Sequence, residues 1–185
     1  INKNENTDTT KFYTFESTDN GDTWSEKYDI GVFGFCSDKV RELSDGSLLL
    51  CVSRNNSRTQ KAEIFAHKSF DGGKSWTKPV IVASNPKFKF IEPAAMELKN
   101  GKVAVFIREN SMTGEDGFVA YSDDKGESFY GLRQIPIMGM HRPFIGKLND
   151  GSVMLSYREV PSLEFGWPDL KMAIFSESSI EDPDN

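Results

Sequence analysis

Ser69-Phe-Asp-Gly-Gly-Lys-Ser-Trp76 is the segment around which the chain is built, because its pattern, Ser-x-Asp-x-Gly-x-x-Trp, returns on either side. Upstream it reads Ser17-Thr-Asp-Asn-Gly-Asp-Thr-Trp24, and downstream Ser122-Asp-Asp-Lys-Gly-Glu-Ser-Phe129. Ser17 and Ser69 are 52 positions apart, and Ser69 and Ser122 are 53. A repeat of that period indicates a solenoid, a propeller or an array. Each copy has a mechanical reading. Asp19, Asp71 and Asp124 are placed to accept hydrogen bonds from backbone N–H groups just ahead of them, while Gly21, Gly73 and Gly126 supply the positive φ of a tight turn. Trp24, Trp76 and Phe129 are then expected to fold back onto the core and pin the turn.

Between these turns lie three apolar segments centred on Asp45-Gly46, Asn100-Gly101 and Asp150-Gly151. Asp-Gly and Asn-Gly flanked by apolar residues are strong hairpin signals. Two-residue turns are expected at each. A third strand is expected at 62–68, 117–121 and 171–175, and a fourth at 79–83 and 132–138. Residues 11–16 and 27–32 read as the outer strands of an earlier unit, and 176–183 as a decayed copy of the turn. Four antiparallel strands per repeat make a propeller blade. The expected division is 1–34, the end of one blade, then blades at 35–85, 86–138 and 139–185.

The Ser-x-Asp-x-Gly-x-x-Trp copies resemble the Asp boxes of the sialidase-like superfamily of β-propellers. That resemblance implies an all-β propeller that closes with six blades, of which about three and a half are present here, and it makes the box residues structural. The chain begins at Ile1 and ends in the acidic Glu181-Asp-Pro-Asp-Asn185, and it reads as a portion of a longer protein, with self-association as the alternative way to cover its end blades.

The Asp-Gly hairpins and the boxes fall at one end of the strands. The opposite end, near the axis, gathers the variable loops and is the expected mouth. Counting eight residues back from Asp45, Asn100 and Asp150 gives Ser37, Glu92 and Arg142, while the second strands end in Arg54, Arg108 and Arg158. A two-residue turn would place Pro93 opposite Arg108, Glu92 opposite Glu109, Arg142 opposite Glu159 and Arg158 opposite Pro143. Glu92 would then face a second carboxylate.

Ile91-Glu-Pro-Ala-Ala-Met-Glu-Leu-Lys-Asn-Gly-Lys-Val-Ala-Val-Phe-Ile-Arg108 looks like the sialidase segment in which a glutamate precedes a hairpin that an arginine ends. In that family the glutamate polarises a tyrosine nucleophile and the arginine helps grip the substrate carboxylate. The resemblance therefore implies a catalytic role for Glu92 and substrate binding by Arg108. The run Met140-His-Arg-Pro-Phe144 brings His141 and Arg142 to the same rim. Arginine suits a carboxylate because its fork binds both oxygens. Arg54, Arg158 and the indole of Trp167 complete the set of candidate sugar contacts. Phe165-Gly-Trp-Pro-Asp169 has no arginine where the sialidases carry another, and the nucleophilic tyrosine and the acid/base aspartate have no counterparts here. Tyr157 and His67 read as packing residues.

Two functions stay open: an exo-acting glycoside hydrolase of a terminal sugar, sialic acid or another anionic glycan, and a non-catalytic propeller that binds glycan or protein. Either implies a glycan or glycoconjugate partner and an extracellular or cell-surface setting. The net charge of −6, without a Lys/Arg cluster, argues against nucleic acid. No metal spacing or phosphate-cradling loop occurs, so no cofactor is expected, and no apolar run is long enough for a spanning helix. In the two-residue register Cys51 faces Val40 and Cys36 faces Asn55, about 13 Å apart along the strand, so two free thiols are expected, with Cys51 in the core.

Overall fold

A computed structural model describes residues 10–56, 58–160 and 169–181. The first sheet pairs β1 (Lys11–Thr14) with β2 (Tyr28–Phe33). The second runs β3 (Arg41–Glu42), β4 (Leu48–Asn55), β5 (Ala62–Ser69) and β6 (Val80–Ala83). The third runs β7 (Phe90–Glu97), β8 (Val103–Glu109), β9 (Asp116–Ser122) and β10 (Tyr130–Met138). The fourth holds β11 (Met140–Lys147), β12 (Val153–Glu159) and β13 (Asp169–Phe175), followed by the single-turn helix α1 (Ser178–Glu181). All neighbouring strands are antiparallel and follow chain order, so each sheet is a meander, the blade of a partial propeller.

The core lies between blades, and period-two alternation puts it there. In β8, Val103, Val105 and Ile107 join Leu49, Cys51 and Ile64 of the preceding blade, while Ala104 and Phe106 join Ile145, Val153 and Leu155 of the following one. Both faces of β8 are covered, and all seven of its residues are buried. Each large aliphatic side chain so enclosed contributes about 1.5–3 kcal/mol. A third cluster, of Ile30, Val32, Leu50 and Val52, joins the first two blades.

The three Ser-x-Asp-x-Gly segments form the expected turns. Asp19, Asp71 and Asp124 each accept the backbone N–H four residues on, from Thr23, Ser75 and Ser128, at 2.9 Å. The Thr23 and Ser75 hydroxyls, and then those same N–H groups, hold Asp19 and Asp71 down to about 2. Partial burial pushes Asp124 up, but the Ser128 donors outweigh it and bring that carboxyl to about 2 as well. The aromatics differ among themselves. Trp76 packs against the cluster between the first two blades and Phe129 against the one between the second and third, whereas Trp24 is 63% exposed. Trp24 therefore does not pin its turn to a core as expected. It closes on its own turn, donating from Nε1 to the Gly21 carbonyl at 3.1 Å, and is not part of the cluster of Ile30 and Val32 that covers the other side of the β1–β2 sheet.

The hairpins correct the register. Leu43 and Ser47, Leu98 and Lys102, and Leu148 and Ser152 are the closing pairs, each around a three-residue loop, not a two-residue turn. The third loop residue, Gly46, Gly101 or Gly151, has φ between 79° and 86°, the left-handed position of a type I turn followed by a bulge. Arg41 consequently pairs with Leu49, so Cys51 does not face Val40, nor does Cys36 face Asn55, since Phe35 bridges Ser53. The two thiols are free, Cys36 exposed and Cys51 buried in the core.

A second irregularity lies nearer the mouth. Ala94 pairs with Phe106 but Ile91 with Arg108, and Phe144 pairs with Ser156 but His141 with Arg158, so each inner strand carries a bulge. Glu92 and Arg142 occupy these bulges with φ of 52° and 47°, and Cys36 does the same in the second blade with φ of 45°. Cys36, not Ser37, is thus the counterpart of Glu92 and Arg142. A side chain at positive φ costs of order 1–3 kcal/mol and persists only where its surroundings fix it. Bulges re-aim side chains, and here all three bulge residues line one pocket.

Candidate functional site

The three bulges open onto one pocket of about 330 Å³, walled by Cys36 to Lys39, Glu92, Pro93, Arg142, Pro143 and Phe144. Glu92 is its hub. Arg108, from the adjacent strand of the same blade, donates from Nη1 to Glu92 Oε2 at 2.8 Å. Arg142, from the next blade, donates its backbone N–H to the same oxygen at 2.9 Å and sets its Nε 3.3 Å from Oε1. The Glu92 N–H in turn donates to Ser53 Oγ at 3.2 Å, and Ser53 Oγ–H to the Cys36 carbonyl at 3.3 Å. Through its carboxylate and its own N–H, Glu92 therefore ties together three successive blades.

The two arginines are held differently. Arg108 is buried at 8% exposure, with Nη2 on Met112 Sδ at 3.4 Å and Nε unpartnered among the described residues. The Arg142 side chain is 70% exposed and presents its guanidinium to solvent at the pocket. Arg108 is anchored for structure or electrostatics, and Arg142 is available to an incoming anion.

Glu109 does not face Glu92. It pairs with Phe90 and accepts from the N–H groups of Lys89 and Ser111, at 3.0 and 2.8 Å. The expected pairs of Pro93 with Arg108, Arg142 with Glu159 and Arg158 with Pro143 are likewise replaced by Ile91 with Arg108, Met140 with Glu159 and His141 with Arg158. The three-residue loops shift each count by one residue and the bulges by a second, which a ladder count cannot include.

Residues 1–171 match the BNR repeat-like domain. The chain belongs to this family. No curated protein matches the sequence. Among solved structures, a protein of unknown function from Dyadobacter fermentans is similar at 20% identity and a TM-score of 0.75, over 90% of this chain and 48% of that one. An intramolecular trans-sialidase from Ruminococcus gnavus, in complex with oseltamivir carboxylate, is similar at 17% identity and a TM-score of 0.62, over 91% of this chain and 38% of that one. An α-L-arabinanase from Penicillium chrysogenum, complexed with arabinobiose, is similar at 18% identity and a TM-score of 0.69, over 95% of this chain and 56% of that one. At these identities the likeness is one of fold, the propeller that glycoside hydrolases of several kinds share. The chain spans only 38% to 56% of the length of these three proteins.

Within this BNR repeat-like domain the remaining anticipated residues are spread out. His141 is buried behind the pocket; burial first, and then the Arg108 charge, bring its imidazole down to about 4. Arg54 lays its guanidinium over the Phe65 ring at 5.0 Å, and Arg158 is exposed on β12 opposite His141. Neither lines the pocket. Trp167 and Phe165 lie outside the described residues. Tyr157 packs on the core between the third and fourth blades, and buried His67 contacts the Thr77 carbonyl through Nδ1 at 2.8 Å.

Sequence reasoning missed Asp38, Lys39 and Phe144. Asp38 accepts the Ala95 N–H of β7 at 2.7 Å and pairs with Arg41 Nε at 3.1 Å, and Arg41 Nη1 reaches the Ile145 carbonyl of β11 at 3.3 Å. This pair clamps three blades beneath the pocket floor. Lys39 lies 4.7 Å from the centre of the half-exposed Phe144 ring, so a cation and an aromatic face sit side by side at the rim. Part of their signal was present in the equivalence of the inner strands, since Phe144 follows Arg142 by two residues and Asp38 follows Cys36 by two. Among the described residues no three of His, Cys, Asp and Glu form a metal ligand set, and no helix is long and apolar enough to cross a membrane.

Proposed function

We propose that this chain carries the sugar-gripping half of a glycoside hydrolase active on a terminal sugar that bears a carboxylate. The observation that carries the reading is the Glu92 hub, a carboxylate on a strained bulge that holds one buried and one exposed arginine at a pocket on the propeller axis. Arg142, 70% exposed, and Lys39 are the cations that line the pocket and can meet an anionic ligand, while Arg41 and Arg108 offset the charges of Asp38 and Glu92. Phe144 offers an apolar face on which a pyranose ring can rest. As the resemblance implies, Glu92 would polarise a nucleophile. Among the described residues no tyrosine lines the pocket, so this reading takes the nucleophile and the acid from elsewhere in the protein.

A second reading is glycan binding without cleavage. Its support is that both oxygens of Glu92 are occupied by arginine donors, as expected of a structural or ligand-orienting carboxylate. A panel of fluorogenic glycosides, including a sialoside, a glucuronide and an α-L-arabinofuranoside, separates the two. Hydrolysis of a carboxylated member that falls by about 100-fold or more in Glu92→Gln supports the enzyme. No hydrolysis, with saturable binding of N-acetylneuraminate that Arg142→Ala abolishes, supports the binding domain. Indifference to every sugar ends both.

A further inference from the structure

The box aromatics fill one place in each interface. Trp76, at the end of the second blade's box, packs between the first and second blades, and Phe129, from the third, packs between the second and third. The third copy shows how tight the place is: a Cβ on Gly126 would lie 2.8 Å from Leu49 Cδ1 and 3.6 Å from Phe129 Cζ. In the fourth blade the pattern is lost. Ser176 holds the box serine position, but Ser178 stands where the aspartate stood and Ile180 where the glycine stood. Across the interface Ala104, three residues after the hairpin glycine as Leu49 is, takes the place of the larger leucine. Ile180 and Ala104 join the same core cluster, and beside them a cavity of about 230 Å³ stays open between the third and fourth blades.

Its walls are apolar, from Phe106, Ile135, Phe175 and Ile180, with one charged exception. Arg133 of β10 donates from Nη2 to Tyr121 Oη at 3.2 Å, while its Nε is buried without a hydrogen-bond partner, and no carboxylate pairs with it among the described residues. Arg133 lines the open cleft, and a carboxylate is the anion that a guanidinium fork matches best.

We propose that this inter-blade cleft is a second ligand site, separate from the mouth, that takes a small planar aromatic acid. The ring occupies the space that the box aromatic fills in the two preceding interfaces, and the carboxylate pairs with Arg133. The repeat thus supplies the shape and the arginine supplies the charge.

Indole-3-acetate is the probe, titrated into the 15N-labelled protein and followed by amide shifts, with indole and acetate as its two halves. The expected result is saturable shifts confined to β10, β13 and α1, weaker binding of indole, and none of acetate. Arg133→Gln should weaken binding about tenfold. Ser179→Phe, at an exposed position on the rim, should plug the cleft and abolish the shifts without disturbing the core. No saturable shift at millimolar indole-3-acetate overturns the proposal. So do shifts that map to Glu92 and Arg142, or binding that survives Ser179→Phe unchanged.

Discussion

Replacing Glu92 with alanine and with glycine should give an order of stability opposite to that of an ordinary strand residue. Inside a strand, glycine is normally the worse choice by about 0.5–1 kcal/mol, because it surrenders more backbone freedom. At Glu92 the backbone sits at φ 52°, which glycine adopts freely and alanine does not. Both substitutions remove the counter-charge of Arg108, which is 8% exposed and keeps only Met112 Sδ. Stranding one partner of a buried pair costs about 3–5 kcal/mol. The Arg142 contact adds little, since its side chain is 70% exposed and surface pairs contribute about 0–1 kcal/mol. Glu92→Ala should therefore lose about 3–5 kcal/mol, and Glu92→Gly about 1 kcal/mol less, by relief of the positive φ. Urea unfolding followed by tryptophan fluorescence measures both, with equal slopes required for the comparison. If alanine proves the more stable of the two, or if it costs under about 1 kcal/mol, then neither the strained bulge nor the buried pair behaves as described.

Two further outcomes follow from the same geometry. Native protein should react with a thiol reagent at Cys36 alone, because Cys51 is buried and burial pushes its thiol up; two fast-reacting thiols would mean an open core. The His141 ring should titrate near 4 by NMR, and because that is below its unfolded value its share of stability is present above about 6.5 and lost as pH falls toward 4. A midpoint at or above 6 would remove it from its place behind the pocket.

The 52- and 53-residue spacing of the repeated turns and the three Asp-Gly or Asn-Gly hairpins were enough to reach an all-β propeller and to set Glu92 beside the strand that ends in Arg108. These are short-range properties. A turn needs its glycine and a strand needs its alternation, and both are written in consecutive residues. The register slipped by one because Asp-Gly fits both a two-residue turn and a three-residue loop with glycine in its last position, and the residues alone do not distinguish them.

What lay beyond the sequence was everything that depends on blades meeting. The reach of Arg142 across to Glu92, the Asp38–Arg41 clamp and the open cleft beside Arg133 each join residues from different repeats. Their partners are tens of residues apart, and only the packing of one twisted sheet against the next brings them within hydrogen-bonding distance. Strain at a bulge is likewise held by its surroundings and not by its own residue type, so Glu92 carries no local mark of its positive φ. Repetition along the chain built the blades, and the meeting of three blades made the pocket.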